Sequence, residues 1–147
     1  MRRVAVYGRD TDGKKSIVTE LGSLKRYKFV ESNSSLHSFL LFNDNHEPPC
    51  HTASLQILVL DLNNETTESI ASLKKNYHPC DFKRPVLLMV YGNNKPLVEQ
   101  LSSYLNSNVS LYHIEDMEKV NSEAILTQLD MLSSQFYDSK NNPVFNT

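Results

Sequence analysis

Residues 55–61 read LQILVLD, an apolar run that ends at Asp61. A short apolar run of this kind is typical of a strand that is buried on both faces of a sheet. Four other apolar runs divide the chain evenly, and a segment with apolar residues at helical spacing follows each of the five. This alternation predicts a repeated strand–helix unit.

The predicted strands are residues 3–7, 28–31, 57–60, 86–90 and 109–114. The predicted helices carry apolar stripes at Ile17, Val18, Leu21 and Leu24; at Leu36, Phe39 and Leu40; at Ile70, Leu73 and Tyr77 after a cap at Thr66 or Thr67; at Leu97, Leu101, Tyr104 and Leu105; and at Ile125, Leu129, Leu132 and Phe136. Each parallel strand pair needs a helical crossover, so strict alternation implies a parallel sheet between two helical layers. We therefore predict an α/β three-layer sandwich.

Length, charge and cysteine content restrict the class of protein. The 147 residues suit one domain, which we place at residues 1–138, with 139–147 as a linker or tail. With 15 basic and 17 acidic residues the net charge is −2, so no overall field favours nucleic acid or an anionic membrane as a partner. The apolar runs are too short to span a bilayer, the start does not resemble a signal peptide, and two cysteines make no disulfide framework. These features predict a cytoplasmic protein.

Ligands of parallel α/β sheets bind beyond the carboxyl ends of the strands. The residues that this chain brings to that edge are mostly polar: Gly8, Arg9, Asp10, Asp12, Asp61, Asn63, Tyr91, Gly92, Asn93, Glu115 and Asp116. We expect any functional site to lie among them.

The strand–helix layout, the run that ends at Asp61 and the stretch 84–90, RPVLLMV, resemble the receiver domain of bacterial response regulators over about residues 2–138. The resemblance implies a flavodoxin-like (βα)5 fold with a five-stranded parallel sheet in the order 2-1-3-4-5. It also implies that Asp61 stands where that family accepts a phosphoryl group.

The other parts of the family's phosphorylation site do not match. The position of its cation-binding acidic pair reads Gly8-Arg9-Asp10, so Asp10 or Asp12 is the remaining candidate ligand. Its switch hydroxyl is replaced by Val90 followed by Tyr91, and its lysine by Glu115. Hard cations such as Mg²⁺ need several oxygen ligands, and an acidic group in place of the lysine repels the transferred anion.

These departures favour a degenerate, or pseudo-receiver, domain that has no catalysis and no cofactor and acts through protein contacts. Its partner is a protein or an attached output domain, and we predict a homodimer through the side formed by strands and helices four and five. The resemblance implies two kinds of larger protein in which such a domain could occur: ATPases of the Tad/Cpa type that localise pilus assembly, and transcriptional regulators. In this interpretation Asp61 pairs with Arg9 or accepts backbone N–H groups from the turn that follows. The alternative is a receiver that accepts phosphate on Asp61 and then requires Mg²⁺.

A second alternative rests on residues 8–16, which lie between a strand and a helix and nearly form a phosphate-binding loop with Gly8, Gly13 and Lys14. The hydroxyl residue that should follow the lysine is displaced by one position, to Ser16, and Asp10 and Asp12 oppose anion binding. Nucleotide binding stays open as an alternative, with a solvated turn as the simpler interpretation. A flavodoxin-like cofactor site at the same edge is a further alternative.

Cysteine and histidine occur in two loops that both lead into strands. Cys50 and His51, with His46, lie in the first loop, and His78 and Cys80 lie in the second. These residue types bind zinc, but the spacing is looser than that of known zinc motifs. A structural metal site far from Asp61 is therefore a minor hypothesis.

Overall fold

A computed structural model describes residues 2–31, 53–77 and 80–137. It contains a five-stranded parallel sheet in the order β2-β1-β3-β4-β5. The strands are β1 (Arg3–Tyr7), β2 (Lys28–Glu31), β3 (Leu55–Asp61), β4 (Val86–Tyr91) and β5 (Val109–Ile114). The five predicted strands, the parallel sheet and its order are confirmed.

The described helices are α1 (Thr11–Gly22), α2 (Thr67–Ala71), α3 (Leu73–Asn76), α4 (Lys95–Leu101) and α5 (Ser122–Phe136). Short 3-10 turns at Leu62–Asn64, Ser102–Tyr104 and Met117–Lys119 follow β3, α4 and β5. None of the helices in these described segments is long and apolar enough to cross a bilayer. The helix predicted at residues 36–42 and the tail 139–147 lie outside the described residues.

Two apolar clusters lie on opposite faces of the sheet, which gives the predicted three layers. The residues of one cluster come from the sheet and from α1 and α5, and include Val6, Ile17, Ile57, Met89 and Ile125. The residues of the other come from the sheet and from α2, α3 and α4, and include Leu60, Ile70, Leu73, Val90 and Leu97. Alternate residues of each strand point to opposite faces, so β3 is buried on both sides, as its continuous apolar run predicts.

Side-chain caps fix where the helices begin. Thr66 and Ser69 form a reciprocal capping box at α2, which selects Thr66 from the two predicted caps. Asn94 accepts a hydrogen bond from the Leu97 N–H, with a proline in the first turn of α4. Asn121 caps α5 in the same manner by accepting from the Ala124 N–H. Such caps satisfy N–H groups that have no partner within the helix.

Two residues that the sequence assigned to buried stripes are exposed. Leu24 is 38% exposed and Leu105 is 41% exposed. The reason is the same in both cases: α1 ends at Gly22 and α4 ends at Leu101, so both leucines lie beyond the helical spacing. These two predictions are wrong because a helix stripe cannot be extended past the end of its helix.

The turn between α1 and β2 contains an unusual backbone conformation. Lys25 has a φ of 57°, the left-handed region that a residue with a Cβ seldom adopts. Glycine adopts this left-handed conformation without strain. Lys25 is also exposed, so apolar packing does not account for the choice of lysine.

We expect Lys25→Gly to raise the free energy of unfolding by about 0.5–1 kcal/mol, measured by urea denaturation. Release of the left-handed conformation contributes roughly 1–2 kcal/mol, and the greater freedom of glycine in the unfolded chain offsets about 0.4–1 kcal/mol of it. Lys28→Gly, at an exposed position in β2, is the matched control and should destabilise the domain. A loss of stability in Lys25→Gly would contradict the prediction.

Candidate functional site

The parallel register brings the ends of three strands to one level. Asp61 at the end of β3 lies opposite Tyr91 in β4, and Tyr91 lies opposite Ile114 in β5. Gly8 follows β1 at the same edge with a φ of +150°, and a Cβ there would lie 2.7 Å from the Val59 carbonyl oxygen. Gly8 is therefore required for the close approach of β1 to β3.

A cavity of about 270 Å³ opens at this edge. It is lined by Arg9, Asp10, Asp12, Val59, Asp61, Asn64, Glu65 and Tyr77. The structure thus brings together Asp10, Asp12 and Asp61, which the sequence had placed at one edge. Glu65 and Tyr77 are additional lining residues that the sequence did not identify. Within the described segments, no group of three or more His, Cys, Asp or Glu side chains is arranged to hold a metal ion.

Asp61 is partly buried, and both of its oxygens accept hydrogen bonds from the turn that follows β3. Oδ1 accepts from the Asn63 N–H at 3.0 Å, and Oδ2 accepts from the Asn64 side-chain amide at 3.1 Å. The expectation that Asp61 accepts backbone N–H groups from this turn is confirmed for one such group, that of Asn63. The alternative pairing is wrong, because no ion pair among the described residues joins Arg9 to Asp61; the Arg9 guanidinium lies 5.3 Å from the centre of the Tyr77 ring.

Asp10 and Tyr91 are bonded to each other. The Tyr91 hydroxyl donates a hydrogen bond to Oδ2 of Asp10, which stands immediately before α1. Gly13, in the first turn of α1, leaves room for this contact: a Cβ there would lie 2.3 Å from Asp10 Oδ2 and 3.4 Å from the Tyr91 hydroxyl oxygen. The end of β4 is thus tied to the start of α1 across the sheet edge.

A second polar contact forms the opposite wall of the cavity. The Tyr77 hydroxyl donates to Glu65 Oε1 at 3.1 Å, and the Ser69 hydroxyl donates to the other oxygen of the same carboxylate. Burial, together with the charge of Glu65, raises the pKa of the Tyr77 hydroxyl above its ordinary value. Tyr77 therefore stays protonated and remains a donor to Glu65.

The two residues predicted at the switch position have different surroundings. Val90 is buried within the core beneath α2–α4. Tyr91 takes the register position opposite Asp61, and its hydroxyl reaches across to α1. Of the two, Tyr91 is the residue whose side chain contacts a cavity residue, Asp10.

Beyond β5, Glu115 is engaged in a local ion pair. Lys119 Nζ donates to Glu115 Oε2 at 2.8 Å, and both side chains are exposed. This hydrogen bond lowers the pKa of Glu115 and raises that of Lys119. His113 contacts the Gly92 carbonyl oxygen through Nε2 at 2.8 Å. The lysine is therefore held at Glu115, although the assignment of Glu115 as the equivalent of the family's lysine stays a prediction.

The predicted phosphate loop at Gly8, Gly13 and Lys14 stays a prediction, which the local structure disfavours. Helix α1 begins at Thr11, so Gly13 and Lys14 lie within its first turn rather than in an open loop. The Lys14 residue is 2% exposed, and burial lowers the pKa of its amine although Glu31 and Asp10 act in the opposite direction. The glycine that suggested a phosphate cradle instead accommodates the carboxylate of Asp10.

The proposed metal ligands Cys50, His51 and His78, and the neighbouring His46, lie outside the described residues. Cys80 is described and buried, with 3% of its surface exposed. The hypothesis of a zinc site in these loops stays a prediction.

We predict that Tyr91→Phe lowers the free energy of unfolding by about 1–2 kcal/mol, because the hydroxyl bonds a carboxylate. In a Gly13→Ala background the same change should cost less than about 0.5 kcal/mol, because the added Cβ has already displaced Asp10. A double-mutant cycle by urea denaturation measures the difference.

Gly22→Ala provides the matched control, since a Cβ at this helical glycine would meet nothing within 4 Å. Tyr91→Phe should cost the same in the Gly22→Ala background as in the native chain. Equal costs in all three backgrounds would contradict the account of Gly13.

Comparison with known proteins adds the fold class. No protein-family model matches the chain, and no curated protein matches its sequence. Several solved structures match the chain, among them these three. FixJ-N matches with a TM-score of 0.53 and 10% identity, over 91% of this chain and 94% of that chain. A CheY-like response regulator protein from Mesorhizobium loti matches with a TM-score of 0.50 and 16% identity, over 89% of this chain and 98% of that chain. A response regulator receiver protein from Pseudomonas putida matches with a TM-score of 0.53 and 11% identity, over 88% of this chain and 95% of that chain. The chain therefore has the fold of a response-regulator receiver domain.

Proposed function

We propose that this chain is a regulatory domain of the pseudo-receiver type, which acts through protein contacts and carries out no phosphoryl transfer. The observation that carries the proposal is the hydrogen bond between Tyr91 and Asp10. It joins Tyr91, which follows Val90 at the predicted switch position, to Asp10, the candidate cation ligand, so that both side chains are engaged within the protein.

Cation binding is the first step that this arrangement disfavours. Mg²⁺ in proteins requires near-octahedral oxygen ligands, usually including one or two carboxylates. One oxygen of Asp10 accepts from Tyr91, and both oxygens of Asp61 accept from the β3 turn. Arg9 lines the same cavity and adds a positive charge close to where the cation would bind. A divalent ion would have to displace these contacts to enter.

Charge stabilisation of a transferred phosphoryl group is the second step. Phosphoryl transfer depends on positive groups that neutralise the developing charge on the oxygens. Ile114 is the β5 residue at the level of Asp61 and Tyr91, and the nearby Lys119 is paired with Glu115. The strand that supplies a lysine in the family therefore directs no cation to Asp61 here.

The alternative function, phosphate acceptance on Asp61, has one observation in its favour. Asp61 is partly exposed and lines the same open cavity as Asp10 and Asp12. In that case Mg²⁺ would be needed, and Asp10 would have to leave Tyr91 to bind it.

The proposed function also implies a binding partner, a cellular compartment and a dimer surface. We infer a protein partner or an attached output domain, in the cytoplasm, with a homodimer through β4, β5, α4 and α5. The edge strand β5 supports this surface, because Leu111 and Tyr112 in its centre are partly exposed, and the unpaired side of an edge strand offers backbone groups to a partner. The pilus-assembly and transcriptional settings remain hypotheses of the same kind.

We predict that beryllofluoride with Mg²⁺, a stable analogue of the phosphorylated carboxylate, will cause no saturable amide chemical-shift change around Asp61. Asp61→Asn should give the same result as the native chain. Saturable shifts in the native chain that Asp61→Asn abolishes would show the phosphoacceptor function instead.

A variant with the missing groups restored serves as the matched positive control. Arg9→Asp supplies a second carboxylate, Tyr91→Thr releases Asp10 and supplies a small hydroxyl, and Glu115→Lys supplies the cation. We expect this triple variant to bind beryllofluoride where the native chain does not. Failure of the variant to bind would mean that degeneration at these positions is not what prevents the chemistry.

A further inference from the structure

We propose that the amino-terminal edge of the sheet is a docking surface for the carboxyl-terminal edge of a second copy of this chain, so that the copies associate head to tail. This surface is distinct from the β4–β5 side and from the cavity at Asp61. The proposal does not depend on whether Asp61 is phosphorylated.

The two edges of the sheet carry opposite charge. Among the described residues, the exposed charged ones toward the amino-terminal edge are six cations and three acids: Lys25, Arg26, Lys28, Lys74, Lys75 and Lys83, with Glu20, Asp81 and Glu99. One of these cations, Arg26, is paired with Asp130. At the carboxyl-terminal edge they are seven acids and four cations: Asp12, Glu31, Glu68, Glu115, Asp116, Glu118 and Glu123, with Arg9, Lys15, Lys95 and Lys119. The net charge of −2 for the whole chain conceals this separation.

The macrodipoles of the helices account for part of the pattern. Acidic residues are favoured in the first turn of a helix and basic residues in the last turn. This preference explains the positions of Glu68, Glu123, Lys74 and Lys75. Outside the helices, Lys25, Lys28 and Lys83 belong to the same basic edge. The helix macrodipoles do not explain why these three positions carry lysine.

The backbone conformation of Lys25 is the observation that best supports a functional role for the positive charge at this edge. Lys25 holds the left-handed conformation in the α1–β2 turn, where glycine would be unstrained. Strain of this kind is found where function requires a particular side chain. At this position the lysine contributes a positive charge to the basic edge.

Exposed apolar groups lie in the same region. The large apolar side chains that are exposed in the described segments are Leu24, Leu105 and Met131. Leu24 precedes Lys25, Leu105 stands between α4 and β5, and Met131 is in the later half of α5. Helices α1, α4 and α5 all run toward the amino-terminal edge, so the three side chains lie toward that edge rather than the acidic one.

The amino-terminal edge also has cavities that a partner could occupy. Cavities of about 580 and 470 Å³ are lined by residues of the amino-terminal edge. Arg26 and its ion-pair partner Asp130 line the first, and Lys74, Lys83 and Asp81 line the second. Positive charge, apolar side chains and concave shape thus coincide, which is typical of a protein-binding surface.

Charge complementarity identifies the second copy as the occupant. The matching acidic surface is the opposite edge of the same chain, so the contact joins two different patches. Such a heterologous contact repeats from copy to copy and gives chains or rings rather than a closed two-fold dimer. The contact should weaken with salt, because exposed charges are screened.

The test is sedimentation velocity of the full chain at about 20 mM and about 500 mM salt, between which the Debye length falls from roughly 20 Å to roughly 4 Å. Two variants reverse the edges separately: Lys25→Glu/Lys28→Glu/Lys83→Glu and Glu68→Lys/Glu118→Lys/Glu123→Lys. We expect salt-sensitive association of the native chain and at least about tenfold weaker association of each variant alone. A one-to-one mixture of the two variants should regain association.

The control is Lys15→Glu/Lys95→Glu, which makes the same change of residue type at the acidic edge and should leave association intact or strengthen it. Circular dichroism confirms that each variant is folded, and Lys25→Gly should weaken association while keeping the fold. A native chain that is monomeric at both salt concentrations would overturn the proposal and assign the basic edge to a different acidic partner. A closed dimer that is insensitive to every reversal, or a mixture that fails to regain association, would overturn it too.

Discussion

The parallel register of β1, β3, β4 and β5 is the constraint on which the rest of the structure depends. Parallel strands in hydrogen-bonding register end at the same edge, so residues far apart in the chain are held at one level. Asp61, Tyr91 and Ile114 are placed in this manner. The register also requires glycine at position 8, where the backbone of β3 leaves no room for a side chain.

The hydrogen bonding at this edge depends on the length of the Tyr91 side chain. A small hydroxyl residue opposite Asp61 would be too short to reach Asp10. The tyrosine at position 91 extends across the edge and donates a hydrogen bond to Asp10, immediately before α1. Gly13 in turn must lack a side chain so that Asp10 can adopt this position. The three residues form one unit, which stabilises the edge with an internal hydrogen bond.

The sequence predicted the fold well because its strongest signals are periodic. Continuous apolar runs identified the five strands, and their alternation with helices fixed the parallel sheet and its buried faces. The same logic failed at Leu24 and Leu105, since spacing does not show where a helix ends.

The site was predicted less completely. Asp10, Asp12 and Asp61 could be placed at one edge from topology, and the hydrogen bonds of Asp61 to its own turn are local in sequence. The contact between Tyr91 and Asp10 joins residues 81 positions apart and depends on side-chain rotamers, which no pattern in the chain specifies. Gly13 suggested a phosphate loop because a glycine that binds a ligand and one that makes space for a neighbour look alike in sequence.

We propose that Asp61 accepts no phosphoryl group because the residues around it are engaged in hydrogen bonds within the protein. The most direct measurement is the intact mass of the chain after incubation with acetyl phosphate and Mg²⁺. The account predicts an unchanged mass for the native chain and for Asp61→Asn alike. A mass increase of one phosphoryl group in the native chain, absent from Asp61→Asn, would contradict it.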